Sequence, residues 1–144
     1  MTMASSGKIL VVDDDDDSRT LLSHLLKREG YEVITAIDGQ DAVEKLPDDS
    51  IDVLLLDVMM PRMDGFAVCE ALKKDPKTAS LPVILLTARD DMDTRANGMK
   101  LGVSDFLAKP VNKQELFQRV RTQIEAIDRA RHLAATEQRI DSID

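Results

Sequence analysis

The sequence predicts a doubly wound α/β fold, a five-stranded parallel sheet with five helices on its two faces, the last helix extended. Short apolar runs alternate with helix-patterned stretches along the 144 residues. The runs carry too few polar residues to be strands with one wet face, so they read as central parallel strands. Five βα units in succession then call for right-handed crossovers that place helices on both sides of one sheet.

The first strand is Lys8–Val12, KILVV. Behind it Leu21, Leu22, Leu25 and Leu26 share a helical face, with Asp17 or Ser18 expected as the cap and Gly30 as the stop. Residues 31–36 form a second strand, and the turn Asp38-Gly39 leads into a short helix with Ala42, Val43 and Leu46 inward and Pro47 near its end. Residues 51–56 are the most apolar strand. Asp64-Gly65 opens a third helix in which Val68 and Leu72 share a face, and residues 82–87 make the fourth strand. The fourth helix, near residues 91–101, has few large apolar residues beyond Met92 and Met99. Gly98 weakens it by about 1 kcal/mol relative to Ala, so it is expected to be the softest helix. A short strand at 105–108 precedes Lys109-Pro110, and Asn112 caps a helix that runs without Gly or Pro to the C-terminus.

A chain of this length suits one domain with an appendage: a disordered segment at 1–7, a domain at 8–126 and a helical extension or linker at 127–144. With 43% hydrophobic and 32% charged residues the chain reads as globular, and its net charge of -8 argues against direct binding to nucleic acid or anionic membranes. The single cysteine, Cys69, excludes an internal disulfide, and MTMASSGK lacks the apolar core of a signal peptide. No uncharged apolar run approaches the roughly 20 residues that cross a bilayer. A cytoplasmic setting is expected.

Ligands of doubly wound sheets bind beyond the carboxyl ends of the strands. The side chains expected there are Asp13 and Asp14 after the first strand, Asp57 after the third, Thr87 at the end of the fourth and Lys109 after the fifth. In KILVVDDDDDSRTLL the aspartates run from Asp13 to Asp17. Two unit charges about 4 Å apart repel by roughly 4 kcal/mol at an effective dielectric near 20, so a cation belongs among them. Oxygen ligands with water in the remaining positions suit Mg²⁺. Asp15 to Asp17 have a plainer role, because negative charge in a helix's first turn gains about 0.3 to 1 kcal/mol from the dipole. Taken one at a time the others do too: Asp13 and Thr87 as helix caps, Lys109 as a surface lysine before a turn, Asp64-Gly65 as turn and cap.

Together, VVDDDDD, LLLDVMMPRMDG, LLTA and DFLAKP, in this order and at these separations, resemble the receiver domain of two-component response regulators, the CheY-like fold, over about residues 8 to 126. The resemblance implies a flavodoxin-like strand order 2-1-3-4-5. It implies that Asp57 accepts a phosphoryl group from a sensor histidine kinase or histidine phosphotransfer protein, and that Thr87 and Lys109 contact the phosphoryl oxygens. Mg²⁺, for which Mn²⁺ would substitute, would be held by Asp14, Asp57 and the Met59 carbonyl, with Asp13 positioning them. Thr87 and Phe106 would move together as a switch, with Phe106 lacking the hydroxyl a tyrosine would bring. Met59 and Arg89 would flank the path of the hydrolytic water and lengthen the lifetime of the phosphorylated form. No enzymatic activity is expected beyond self-phosphotransfer and slow autodephosphorylation. The chemistry stands without the family, since carboxylates form acyl phosphates and the transition state needs positive charge on the equatorial oxygens.

Two other readings compete. An EF-hand would use Asp13, Asp15 and Asp17, but its sixth position is Ser18 rather than glycine and its twelfth is His24 rather than glutamate. A haloacid-dehalogenase-like phosphatase would use Asp13 as nucleophile with Asp15, Thr87, Lys109 and Asp90-Asp91. The Gly-Thr expected after its aspartate pair is Asp16-Asp17, and MMPRMDG goes unexplained.

Beyond Ile127 the apolar positions thin to Ala130, Leu133, Ala134, Ile140 and Ile143, while composition still favours helix. An isolated helix of this kind is marginal in water. The expectation is an extension that pairs weakly in a homodimer, together with the fourth and fifth helices, and leads into an effector domain or protein; a frayed, solvated tail is the alternative.

Overall fold

The computed structural model describes residues 7–46, 50–60, 63–88 and 92–143, and for 134–143 the backbone alone. Its elements are β1 (Lys8–Val12), α1 (Asp16–Arg28), β2 (Glu32–Ala36), α2 (Gly39–Lys45), β3 (Val53–Asp57), α3 (Gly65–Lys74), β4 (Val83–Ala88), α4 (Met92–Lys100), β5 (Asp105–Lys109) and α5 (Lys113–Ile143). The strands form one sheet in the order β2-β1-β3-β4-β5, every neighbouring pair parallel.

Strands covered on both faces must be apolar on both, and β1 and β3 are buried from Ile9 to Val12 and from Val53 to Asp57. Ile9, Val11, Val53, Leu55, Ile84 and Leu86 meet Leu22 and Leu26 of α1 and Leu116, Val120 and Ile124 of α5. On the opposite face Leu10, Val12, Leu54, Leu56 and Leu85 meet Ala42 of α2 and Val68, Cys69 and Leu72 of α3. Register then brings the functional ends level: Val12 lies beside Leu56, Asp57 beside Leu86, and Ala88 beside Lys109.

Several boundaries differ from the expected ones. The cap of α1 is Asp15, whose carboxylate accepts the Ser18 amide at 2.8 Å, rather than Asp17 or Ser18. The Asp13 carboxylate accepts the Asp15 amide at 3.0 Å and compresses the reversal into Asp13-Asp14, so the helix begins early. Leu21 is 57% exposed, contrary to its expected place on the inward face with Leu22, Leu25 and Leu26. At about 100° per residue it stands about 100° from Leu22 and 140° from Leu26, outside the narrow arc that meets the sheet. Tyr31 precedes β2 because its amide donates to the Leu26 carbonyl at 3.2 Å, closing α1 instead of extending the ladder. β3, β4 and β5 each end one residue later than expected, and β3 and β4 begin at Val53 and Val83 rather than at 51 and 82. Asp57 and Lys109 are therefore strand residues, held by ladders rather than carried on loops.

Gly7, inside the segment expected to be disordered, accepts the Glu32 amide through its carbonyl at 2.9 Å. Pro47 lies outside the described residues. α4 buries only Thr94 and Gly98. A Cβ at Gly98 would lie 2.8 Å from Leu85 Cδ1 and 2.9 Å from Phe106 Cε1, so this helix lies on the Phe106 ring because residue 98 has no side chain. α5 carries its Leu116, Val120 and Ile124 face against the sheet, and Ile127 packs beside it. Arg131 pairs with Asp52 at 3.3 Å, and the helix continues unbroken to Ile143. Among the described residues no helix is long and apolar enough to cross a membrane.

Candidate functional site

The turn after β1, the ends of β3 and β4 and the end of β5 converge on one acidic centre. Asp13 is fully buried; one carboxylate oxygen takes the Asp15 amide and the other lies 3.1 Å from Lys109 Nζ. Asp57 is buried, its Oδ1 accepting the Met59 amide at 3.2 Å and its Oδ2 lying 3.0 Å from the same ammonium. Lys109 thus bridges two carboxylates that are 44 positions apart in the chain. Asp14 is exposed, and one oxygen from each of Asp13, Asp14 and Asp57 falls within 4.8 Å of the others. Behind Asp57 the chain is tight: a Cβ at Gly65 would lie 2.9 Å from the Asp57 carbonyl oxygen, and the Gly65 amide donates to the Val58 carbonyl at 3.1 Å. Only glycine permits that approach.

Electrostatics separate the two buried carboxyls. Burial raises the Asp57 pKa, Lys109 opposes it without overcoming it, and the charge of Asp13 adds to the rise. Burial acts on Asp13 as well, but the Asp15 amide, Ser18 and Lys109 together outweigh it and hold that carboxyl below its ordinary value. Burial would lower Lys109; its contacts with Asp57 and Asp13 outweigh this and raise it, so it is a cation at neutral pH.

Three carboxylates against one ammonium leave two formal negative charges. An all-oxygen donor set with an exposed member fits a hard divalent cation, and nothing in it recommends a softer metal. Thr87 is 2% exposed, and its buried Oγ1 has no hydrogen-bond partner among the described residues. Such a hydroxyl lacks an acceptor that a ligand oxygen would supply. Met59, two residues beyond Asp57, has an exposed side chain. Phe106 is half-buried beneath Gly98, with the Arg95 guanidinium 5.6 Å from its ring centroid. Arg89 lies outside the described residues.

The phosphatase alternative is not supported: the Asp15 carboxylate caps α1 instead of standing free beside Asp13, and Asp90-Asp91 lie outside the described residues. Sequence reasoning missed Arg19, whose Nη1 donates to the Asp13 carbonyl at 2.8 Å while Nη2 pairs with Asp16. The i,i+3 spacing of Asp16 and Arg19 could have signalled the second contact. Nothing in the sequence signalled the first.

Comparison with known proteins bears on the family and the fold. The sequence model described as "Response regulator receiver domain" matches residues 9–121. The chain is 50% identical over 117 residues to the response regulator PleD of Caulobacter vibrioides, covering 81% of this chain and 26% of PleD. It is 47% identical over 136 residues to the transcriptional regulatory protein CpxR of Escherichia coli, covering 94% of this chain and 55% of CpxR. This chain therefore spans between about a quarter and about half the length of these relatives. The crystal structure of a putative response regulator from Chloroflexus aurantiacus superposes with a TM-score of 0.80 at 36% identity, over 83% of this chain and 98% of that one. NtrX from Brucella abortus gives a TM-score of 0.82 at 29% identity, over 93% of this chain and 31% of its own.

Proposed function

Because the chain belongs to the response regulator receiver family, we propose that Asp57 is its phosphoacceptor and that a sensor histidine kinase or histidine phosphotransfer protein is the donor. The observation that carries this reading is the Lys109 ammonium held 3.0 Å from Asp57 and 3.1 Å from Asp13. An Asp57 oxygen attacks phosphorus, the bond from phosphorus to the donor nitrogen breaks, and the electron pair leaves with the imidazole. The nucleophile is an anion attacking an anionic group, so charge compensation and alignment supply the catalysis. Lys109 compensates charge from one side, and the Thr87 hydroxyl donates to a phosphoryl oxygen.

Mg²⁺, with Mn²⁺ as substitute, would be held by Asp14, Asp57 and the Met59 carbonyl, with Asp13 orienting them from its buried position. When bound it supplies positive charge to the oxygens of the transferring group. The test is phosphorylation by acetyl phosphate with and without Mg²⁺. Asp14→Ala should abolish the Mg²⁺-dependent reaction while leaving the melting midpoint unchanged or higher, since it removes one of three mutually repelling carboxylates. Normal phosphorylation of that variant would overturn the assignment.

Apart from self-phosphotransfer and slow autodephosphorylation the domain has no catalytic role. Met59 and Arg89 bring no carboxylate or amide to orient water, and slow hydrolysis follows from that. Met59→Asn should shorten the half-life of the phosphorylated chain, by less than the about 100-fold that a positioned acid or base contributes at its lower end, because an amide orients water without taking its proton. An unchanged decay would remove Met59 from the water path.

Thr87 and Phe106 form the switch element. Inward packing of a phenyl ring gains at most about 2 to 3 kcal/mol, which suits two states separated by a small gap. The output surface is α4, β5 and α5, and it acts on an effector domain or protein. The net charge of -8 disfavours direct nucleic-acid binding, and a cytoplasmic setting suits one buried thiol. The helical extension beyond Ile127 pairs weakly with a second copy. Sedimentation of the full chain should show mass action toward a dimer, enhanced by beryllofluoride, and a chain ending at Ala126 should remain monomeric; monomers in all samples would sink the dimer.

A further inference from the structure

We propose that Arg19 is a positioning residue for the cation site, holding the peptide plane between Asp13 and Asp14 so that the Asp14 carboxylate is presented to the ion. The proposal rests on the reading of Asp13, Asp14 and Asp57 as an oxygen site for Mg²⁺. Its observation is an Arg19 side chain that is 15% exposed, with Nη1 donating to the Asp13 carbonyl at 2.8 Å and Nη2 paired with Asp16. A guanidinium partly withdrawn from water is costly unless its donors are used, and here both prongs of the fork are.

The turn needs such a grip because it is built from aspartates. Two side-chain bonds shape it: the Asp13 carboxylate takes the Asp15 amide, and the Asp15 carboxylate takes the Ser18 amide. Both orient side chains that are then committed. The Asp14 carboxylate is exposed, and the direction in which it leaves the chain depends on the rotation of the Asp13-Asp14 peptide. Arg19 fixes that rotation through the carbonyl. Its other prong on Asp16 and its anchorage in the first turn of α1 make the grip part of the helix rather than of the turn itself. The charge of the guanidinium also acts on Asp41 at the start of α2: burial raises that carboxyl, the Ile37 amide and Lys45 more than offset it, and Arg19 adds to the net lowering.

Charge and position make opposite predictions. Arg19 is a cation beside a cation site, so Coulomb repulsion alone means that removing it tightens Mg²⁺ binding. Positioning means that removing it weakens binding. Titration calorimetry of the unphosphorylated chain with Mg²⁺ decides between them, using Arg19→Lys, which keeps the charge without the fork, and Arg19→Gln, which keeps neither. Both should bind Mg²⁺ on the order of 10-fold more weakly, the usual cost of losing a group that orients a metal ligand. In acetyl phosphate assays the half-saturating Mg²⁺ concentration should rise by a similar factor while the rate at saturation stays near that of the unaltered chain. Wild-type affinity in Arg19→Lys, or tighter binding in Arg19→Gln, would overturn the proposal. So would loss of a cooperative melt in both variants, which would assign Arg19 to the fold. An unaltered chain that shows no saturable Mg²⁺ binding would instead fail the underlying site reading, which separates the two failures.

Discussion

Asp57→Asn should take up no phosphoryl group from acetyl phosphate under conditions in which the unaltered chain is labelled, a complete loss in intact mass and in hydroxylamine-labile label. An amide nitrogen is not a nucleophile toward phosphorus, and among the described residues no neighbouring carboxylate is placed to replace it. Asp13 has one oxygen on the Asp15 amide and the other on Lys109, while Asp14 stands at the exposed rim. The variant should nonetheless fold at least as stably as the parent. Asp57 is raised in the folded chain, chiefly by burial. A group raised on folding contributes stability below its unfolded pKa of about 3.9 and loses it as pH rises through the folded value. At pH 7 the ionised side chain is therefore a net cost that asparagine does not carry. Equal or higher melting midpoint with no label is the expected pair of results. Residual labelling at another aspartate would displace Asp57 from its role.

Lys109→Met should be the opposite case, damaging both chemistry and fold. Removing the ammonium leaves two buried carboxylates, Asp13 and Asp57, facing each other without a cation. Breaking a fully buried pair costs about 3 to 5 kcal/mol, and since Lys109 is 33% exposed we expect about 2 to 3 kcal/mol at pH 7 without metal. Without Lys109 the main influence that lowers Asp57 is gone, so burial and the charge of Asp13 raise it further, while Asp13 keeps the Asp15 amide and Ser18. The deficit should then shrink as pH falls through the raised Asp57 value, because the protonated form carries no burial penalty. Mg²⁺ should restore part of the lost stability by taking over charge neutralisation, while phosphorylation stays severely reduced for want of the ammonium on the phosphoryl oxygens. Urea melts at several pH values, with EDTA and with Mg²⁺, measure this. A deficit that does not depend on pH or on Mg²⁺ would mean that Lys109 acts by packing alone.

The sequence by itself determined the order of the elements, the parallel sheet and the identity of the residues at its carboxyl edge. It could do so because apolar runs end where burial ends. In LLLDVMM and LLTA the transition from apolar to polar marks the point where a strand leaves the core, and the first polar side chain past that point must face the ligand edge. The inward face of α5, Leu116, Val120 and Ile124, was legible for the same reason, since helical spacing maps directly onto burial.

Only the tertiary structure decided what depends on directions rather than on order. It placed one ammonium between Asp13 and Asp57, made Asp15 the cap of α1, turned Leu21 outward, and laid Phe106 under the missing side chain of Gly98. Asp13 to Asp17 are one letter repeated, and five identical residues do not say which oxygen caps the helix and which pairs with Lys109. Those roles are assigned by hydrogen bonds from elsewhere in the fold: the Asp15 and Ser18 amides, the Lys109 ammonium at the end of β5, and the Arg19 guanidinium on the Asp13 carbonyl.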